Sequence, residues 1–181
     1  MVNRTRIVGP LLVLAGICLA SAWAERPLQD ERTVKAAFVF NLIKYVQWPD
    51  SSNELLIGFT GDASMGEVLK KLLDGKSIDN RTIHILLSPS DQDVQRCNLM
   101  YVSEASPRKT RTALERIHNR GILTVGDSNS FTDDGGMIAL VRNGEQVQMQ
   151  VNLDSVQEAQ LKISSRLLNL ATIVRNGKEV R

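Results

Sequence analysis

This sequence has few cysteines and few aromatic residues, and its net charge is small. Two of its 181 residues are cysteine, 4% are aromatic, and 22 lysines and arginines stand against 20 acidic residues. Proline (five) and glycine (12) are too few for a collagen-like or low-complexity chain. The 43% of hydrophobic residues predicts an ordinary globular domain and excludes a disordered chain.

The small positive charge belongs to the first 24 residues. Arg4 and Arg6 stand there without any acidic residue, and they account for the whole formal net charge of +2. The rest of the chain is therefore balanced in charge. A balanced chain does not present the extended basic surface on which nucleic-acid binding depends, so we expect no nucleic-acid partner.

The same segment has the layout of a secretory signal peptide. Residues 7–20 form an apolar run behind the two arginines, and Ala22 and Ala24 provide the small side chains of a cleavage site. We predict a signal peptide over residues 1–24, cleaved after Ala24, and a mature domain over residues 25–181 in the periplasm.

Two other interpretations of this segment remain. An uncleaved membrane anchor needs about 20 apolar residues, and the uncharged stretch here is slightly shorter and contains Gly9 and Pro10. A lipoprotein would be modified at Cys18, where the bulky Ile17 stands in place of the usual small residue. The small residues at the end of the segment favour cleavage.

Removal of the signal peptide leaves Cys97 as the single cysteine. No internal disulfide can then form, even in an oxidising compartment. The apolar residues that follow Cys97 favour a buried thiol with a packing role, and an intermolecular disulfide is the alternative.

Helical and extended patterns alternate along the mature chain. Apolar residues at helical spacing, flanked by capping or stop signals, predict helices over residues 31–47, 64–73 and 106–120. Short apolar runs predict strands over residues 55–59, 83–87, 99–102 and 122–125. Ser64 and Glu67 have the spacing of a capping box for the second helix.

The pattern changes after residue 136. Residues 137–141 and 147–153 flank Asn143 and Gly144, a pair that favours a tight hairpin turn with positive φ at both positions. A last helix is predicted over residues 164–176. The complete pattern predicts a single-domain α/β fold with a partly parallel sheet and a C-terminal antiparallel hairpin, flanked by helices.

The sequence contains no motif for catalysis or metal binding. His84 and His118 lie far apart, without cysteine or histidine neighbours at ligand spacing, which argues against a metal site. A nucleophile elbow, a zinc-protease helix and a phosphate-binding loop are also absent. We therefore expect a protein that is not an enzyme and holds no cofactor.

One candidate binding region lies in the loops after the first four strands. If those strands are parallel, the loops share one edge of the sheet, where open α/β sheets bind ligands. Their polar and turn residues are Thr60, Gly61, Asp62, Ser103, Glu104, Gly126, Asp127 and Ser128. Turns require the same residue types, and that interpretation remains open beside the first.

The second candidate region lies near the C-terminus. Gln150 and Asn152 belong to the polar side of the alternating second hairpin strand. Hydroxyl and cationic side chains gather at the start of the last predicted helix, namely Lys162, Ser164, Ser165 and Arg166. Such a helix start suits an anionic or amide-bearing ligand, and ordinary capping is the alternative.

Several motifs of the chain resemble those of the YfiR family of exported bacterial proteins. The opening motif is residues 33–38 (TVKAAF) with residues 45–49 (YVQWP). The closing motifs are residues 135–138 (GGMI), 151–153 (VNL) and 161–168 (LKISSRLL). Together these motifs span nearly the whole mature chain.

The resemblance implies a periplasmic repressor that binds the sensor domain of an inner-membrane diguanylate cyclase and holds it inactive. Cyclic di-GMP, and with it biofilm formation, would then fall. The resemblance also implies homodimers and, in the family, a small-molecule ligand. The family's partner-facing region corresponds here to Gln150, Asn152, Val156, Lys162 and Ser164. Members are often braced by disulfides, for which Cys97 has no partner in the mature chain.

A second hypothesis is a periplasmic small-molecule binding protein that serves a transporter or a sensor kinase. Its pocket would be formed by the loops at the sheet edge, with Asp62 and Asp127 as ligand-binding residues. A repressor would instead depend on the C-terminal region. The two hypotheses therefore assign function to different parts of the fold.

Overall fold

The computed structural model describes residues 26–49, 52–117, 121–175 and 178–180, and the predicted signal peptide lies outside them. Helices α1 to α6 occupy Arg26–Leu42, Ala63–Leu73, Asp91–Val94, Pro107–Ile117, Leu153–Glu158 and Ser165–Leu168. Strands β1 to β11 occupy Val46–Gln47, Glu54–Gly61, Ser77–Ile78, Arg81–Leu87, Leu99–Ser103, Leu123–Gly126, Ile138–Asn143, Gln146–Asn152, Lys162–Ile163, Thr172–Arg175 and Lys178–Glu179.

Nine of the described strands form one sheet, in the order β11-β10-β8-β7-β6-β5-β2-β4-β3. The central strands β4, β2, β5, β6 and β7 are parallel, so a crossover connection joins each to the next along the chain. β8 returns antiparallel to β7, and β10 lies parallel to β8. The predicted α/β class, a mostly parallel sheet with an antiparallel hairpin, is confirmed.

The central strands direct their side chains alternately into two apolar clusters, one on each face of the sheet. In β5, Leu99 and Tyr101 belong to the first cluster, whereas Met100 and Val102 belong to the second. Residues of α1, α2 and α5 complete the first cluster, and residues of α4 complete the second. The strands are thus buried on both faces, as parallel strands usually are.

The first helix ends earlier than predicted. α1 ends at Leu42, a 3-10 turn follows over Ile43–Tyr45, and β1 then pairs antiparallel with β9. The prediction of a helix over residues 31–47 was therefore wrong at its C-terminal end. Its last residues are extended because they find backbone partners in a distant strand, which local sequence does not reveal.

The residue that caps α2 is Asp62. Its Oδ1 accepts a hydrogen bond from the Ser64 backbone N–H at 3.0 Å, and the helix begins at Ala63. Aspartate satisfies the free amides of a helix N-terminus as well as serine does and adds a favourable negative charge. The predicted capping box of Ser64 and Glu67 was wrong.

The predicted hairpin is present, but its turn lies one residue later in the chain. Asn143 pairs with Gln146 at the ends of β7 and β8, so the loop consists of Gly144 and Glu145. Gly144 has a φ of 61°, whereas Asn143 keeps a negative φ. Glycine at the first loop position is typical of a type II′ turn, so the predicted positive φ at Asn143 was wrong.

The segment of the last predicted helix is divided between a short helix and a strand. α6 contains only four residues, and β10 begins at Thr172 beside β8. The spacing of apolar residues over 164–176 suited a helix, but β8 offers an edge whose backbone groups need partners. β10 provides them, and Ile173 and Val174 are buried there.

A phenylalanine ring fixes the loop between β6 and β7. Phe131 is fully buried, and a Cβ atom at Gly126 or Gly136 would approach its ring to 2.3 Å or 2.2 Å. No side chain fits at such distances, so close approach requires glycine at both positions. The ring holds the loop against the strands on either side of it.

Candidate functional site

A buried lysine lies at the carboxyl edge of the parallel strands. Lys35 of α1 is only 7% exposed, and its Nζ lies 2.7 Å from Glu31 Oε1 and 3.8 Å from Asp127 Oδ2. Asp127 directly follows β6. An ammonium group out of water needs such partners, because the loss of its hydration is costly.

Hydroxyl groups also hold the Asp127 carboxylate. Ser103 Oγ donates to Asp127 Oδ2 at 2.8 Å, and Tyr101 OH lies 3.4 Å from the same oxygen. Burial raises the pKa of Asp127 above its usual value, against the lowering effects of Lys35 and of the Ser103 hydroxyl. Burial also raises the pKa of Tyr101, so its phenol stays protonated and can donate. Lys35 therefore stabilises the ionised form of the Asp127 carboxylate, whereas burial destabilises that form.

Two further ion pairs tie this end of α1 to the sheet. Arg32 Nη2 lies 3.4 Å from Asp62 Oδ2, and Arg142 Nη1 of β7 lies 3.3 Å from Glu31 Oε2. Burial alone would raise the pKa of Glu31, but its hydrogen bonds and attraction to Lys35 and Arg142 lower it. Charged side chains of α1 thus occupy the edge at which open sheets bind ligands.

The predicted loop residues come together at this edge, as parallel strands require. Five of their six polar side chains bond to one another or to α1. Asp62 caps α2 and pairs with an arginine of α1, and Thr60 Oγ1 donates to Glu104 Oε1 at 3.0 Å. Asp127 pairs with the buried lysine. Capping, hydrogen-bond and ion-pair roles therefore account for Thr60 and the three carboxylates without a ligand, whereas the buried Ser128 Oγ has no hydrogen-bond partner among the described residues.

Three residues of the predicted C-terminal region point into the protein. Val156 is 2% exposed and belongs to the first apolar cluster, so its assignment to a partner-facing surface was wrong. Asn152 is buried: it caps α5 by accepting from the Ser155 N–H at 3.2 Å, and its Nδ2 donates to Thr132 O at 2.9 Å. Gln150 is half-buried, and its Oε1 accepts from Thr132 Oγ1 at 3.4 Å. The loop before β7 thus covers the polar side of β8.

The other four predicted residues lie at or near the surface. Ser164 is half-buried and caps α6, since its Oγ accepts from the Arg166 N–H at 3.2 Å. Lys162, Ser165 and Arg166 are exposed. In the described part of the chain, neither cation has an acidic partner. The capping interpretation therefore accounts for Ser164. Lys162 and Arg166 remain available for contact with a ligand or a partner protein.

Sequence reasoning missed Leu170. It is 75% exposed, although the helix predicted over residues 164–176 placed it on the apolar face. Because α6 ends at Leu168 and the chain then turns into β10, Leu170 reaches solvent. We name Lys162, Ser165, Arg166 and Leu170 the C-terminal surface. It combines an exposed apolar side chain with two cations that pair with no acidic residue in the described ranges.

Comparison with protein families matches residues 32–172 to one described as YfiR/HmsC-like. The chain belongs to the YfiR/HmsC-like family. Its members are regulators rather than enzymes, and they act from the periplasm on membrane-bound diguanylate cyclases. The matched range contains the Arg32–Asp62 and Lys35–Asp127 ion pairs and the whole C-terminal surface, whereas Glu31 lies just before it. The resemblance found in the sequence motifs is thereby confirmed.

Two solved structures share the fold of this YfiR/HmsC-like chain. A conserved domain protein of Vibrio cholerae O1 biovar El Tor strain N16961 matches with a TM-score of 0.56 at 11% identity, over 78% of this chain and 59% of that one. An ABC domain from Streptococcus pneumonia, in complex with L-Trp, matches with a TM-score of 0.50 at 9% identity, over 80% and 60%. The chain thus spans only about three fifths of either structure. At such identities the likeness concerns the fold alone.

The described residues of this family member show neither a metal-binding cluster nor a membrane-spanning helix. No group of three or more histidine, cysteine, aspartate or glutamate residues among them is placed to hold a metal ion. None of their helices combines the length and the hydropathy of a membrane span. His84 lies half-buried in β4, and His118 lies outside the described residues.

Cys97 is a buried residue of the second apolar cluster, where its side chain packs against apolar neighbours. It is 5% exposed, its Sγ donates to the Asp93 carbonyl oxygen at 3.3 Å, and burial raises its pKa to about 11. Because the thiolate is the reactive form, we expect the folded protein to react with a chromogenic disulfide reagent at least about 100-fold more slowly than the unfolded protein. Absorbance at mildly alkaline pH measures both rates. Rapid reaction, or a disulfide-linked dimer on a non-reducing gel, would support the intermolecular alternative instead.

Proposed function

We propose that this chain is exported, cleaved after Ala24, and represses a membrane-bound diguanylate cyclase by binding the periplasmic sensor domain of that cyclase. Repression would lower cyclic di-GMP. The family match over residues 32–172 supports the proposal, because members of the family regulate such cyclases. A homodimer in the periplasm is part of the same proposal.

Repression of this kind requires binding and no chemistry. A protein that binds the inactive form of a cyclase more tightly than the active form shifts the equilibrium by the difference in binding free energy. A shift from almost fully active to almost fully inactive needs about a 10⁴-fold difference in affinity. A contact surface that distinguishes two conformations of the partner is therefore sufficient.

We assign this contact to the C-terminal surface. Lys162 and Arg166 have no acidic partner in the described part of the chain, so an acidic patch on the sensor domain would attract them. Leu170 adds apolar area that such a contact would bury. By contrast, Arg111 and Arg116 of α4 already pair with aspartates of this chain.

Reversal of both charges tests the assignment. In cells that contain the cyclase and lack the chromosomal copy of this gene, the wild-type chain should lower cyclic di-GMP. The Lys162→Glu/Arg166→Glu variant should lose most of this effect, because like charges across the contact would weaken affinity by at least about tenfold. Mass spectrometry measures cyclic di-GMP, and immunoblots confirm equal amounts of protein.

Arg108→Glu/Lys109→Glu is the matched control, because it makes the same charge change at two exposed residues of α4. It should repress like the wild type. If the variant of the C-terminal surface also represses fully, the contact lies elsewhere. If the wild type leaves cyclic di-GMP unchanged, the proposed repression is wrong.

A further inference from the structure

A cleft of about 430 Å³ lies near the amino ends of the central strands. It is opposite to the carboxyl ends, where the charged side chains of α1 lie. It is bounded by α4, by the loop before β7 and by α5, near the amino ends of β6 and β7. Its floor is apolar, since Leu114, Ile117, Met137 and Ala159 are each 7% exposed or less. The volume falls within the usual range for small-molecule sites.

The cleft exists because the sheet opens between β6 and β7. The two strands share only two paired positions, which begin at Val125 and Ile138. One residue earlier, the Met137 N–H donates to Thr124 Oγ1 at 3.0 Å instead of to a strand backbone. The ladder therefore stops there, and the side chains of Thr124 and Met137 line the gap.

Thr124 offers a buried hydrogen-bond donor to the cleft. It is 4% exposed, and its oxygen accepts the Met137 N–H. In the part of the chain that the structure describes, no atom accepts the proton of its hydroxyl. A buried donor without an acceptor is costly, and an oxygen atom of a ligand in the cleft would remove that cost.

The rim of the cleft carries an excess of negative charge among its described residues. Arg111 Nε lies 3.3 Å from Asp134 Oδ1, so these two charges offset one another. Glu115 of α4 and Glu158 of α5 are exposed and have no ion pair with any described residue. Two carboxylates on separate walls attract a cation and repel an anion.

We propose that this cleft binds a small primary amine. Its ammonium group lies at Glu115 and Glu158, its apolar body covers the floor, and an oxygen atom at its far end accepts the Thr124 hydrogen bond. Three separate features of the lining thus select three separate features of one ligand. This site is distinct from the C-terminal surface and does not depend on the proposed repression.

Tyramine is a suitable probe, because an aromatic ring joins its ammonium group to a phenolic oxygen. Calorimetric titration of the purified protein at neutral pH should give a dissociation constant below about 1 mM. Phenethylamine, which lacks the oxygen, should bind about fivefold more weakly. Hydroxyphenylpropionate, which has a carboxylate in place of the ammonium group, should bind at least about tenfold more weakly.

Variants of the lining test the assigned contacts. Glu158→Gln should weaken tyramine binding by at least about tenfold, and Thr124→Val should abolish the preference for tyramine over phenethylamine. Glu145→Gln, at an exposed glutamate of the hairpin loop, is the matched control and should bind like the wild type. Equal affinity for the amine and the carboxylate, or no binding of tyramine up to about 10 mM, would overturn the proposal. This comparison of probes uses the wild-type protein, so it does not depend on the folding of any variant.

Discussion

Replacement of Val156 by aspartate is expected to lower the free energy of unfolding by at least about 4 kcal/mol. Val156 is 2% exposed within the first apolar cluster. A carboxylate there must either stay charged in apolar surroundings or take up a proton, and both states cost free energy. Domains of this size have only about 5–15 kcal/mol of stability, so much of the variant should be unfolded or degraded in cells.

Gln157→Asp is the matched control, because the neighbouring residue of α5 is exposed. It should change the free energy of unfolding by less than about 0.5 kcal/mol. Urea denaturation followed by circular dichroism measures both variants. A Val156→Asp protein as stable as the wild type would contradict the core position. Loss of repression in that variant would reflect loss of the fold, so only the charge reversal at the C-terminal surface tests a contact.

The central sheet could be predicted because its strands are buried on both faces. Continuous apolar runs such as residues 55–59 and 122–125 are too short for helices and are bounded by turn residues. The structure places β2 and β6 at these runs. The hairpin could also be predicted, because Gly144 provides the positive φ that a two-residue turn needs.

β10 and α5 were missed for different reasons. The residues Thr172–Arg175 are extended because the edge of β8 needs a partner, and no pattern within those four residues shows that. α5 did leave a signal, since Asn152 caps it and Asp154 follows in its first turn. The alternation along β8 led instead to the interpretation of Asn152 as a ligand-binding residue.

The charged contacts of α1 show a second limit of sequence reasoning. Lys35 and Asp127 lie far apart in the chain, and no motif or spacing links them. A lysine in a helix is usually interpreted as solvent-facing, because its ammonium group is strongly hydrated. Only the packing of α1 against the carboxyl edge of the sheet buries this one beside two acidic side chains.

Replacement of Lys35 by methionine is expected to lower the free energy of unfolding by about 3 kcal/mol at neutral pH. Methionine keeps most of the apolar stem but removes the ammonium group that lies 2.7 Å from Glu31 and 3.8 Å from Asp127. Glu31 would retain Arg142 as a partner. Asp127 would remain a largely buried carboxylate with hydroxyl partners but without that cation.

This loss should depend on pH. The pKa of Asp127 is raised above 3.8, so its ionisation opposes folding as pH rises, and the opposition grows in the variant because Lys35 no longer offsets burial. The pKa of Glu31 is lowered below 4.5, so its charge stabilises the fold above that pH, and the variant loses part of this contribution. Both effects make the difference between variant and wild type largest near neutral pH and smaller as pH falls below 4.5.

The Lys35→Met/Asp127→Asn double variant should recover most of the lost stability, because it removes the stranded carboxylate and asparagine can still accept from Ser103. Urea denaturation at neutral and at acidic pH compares both variants with the wild type. If the single variant is equally destabilised at both pH values and the double variant is no better, the loss of stability does not come from the stranded Asp127 carboxylate. Recovery would show that the single variant loses stability because its Asp127 carboxylate is buried without a cation, so Lys35 serves to offset the charge of that carboxylate at the carboxyl edge of the sheet.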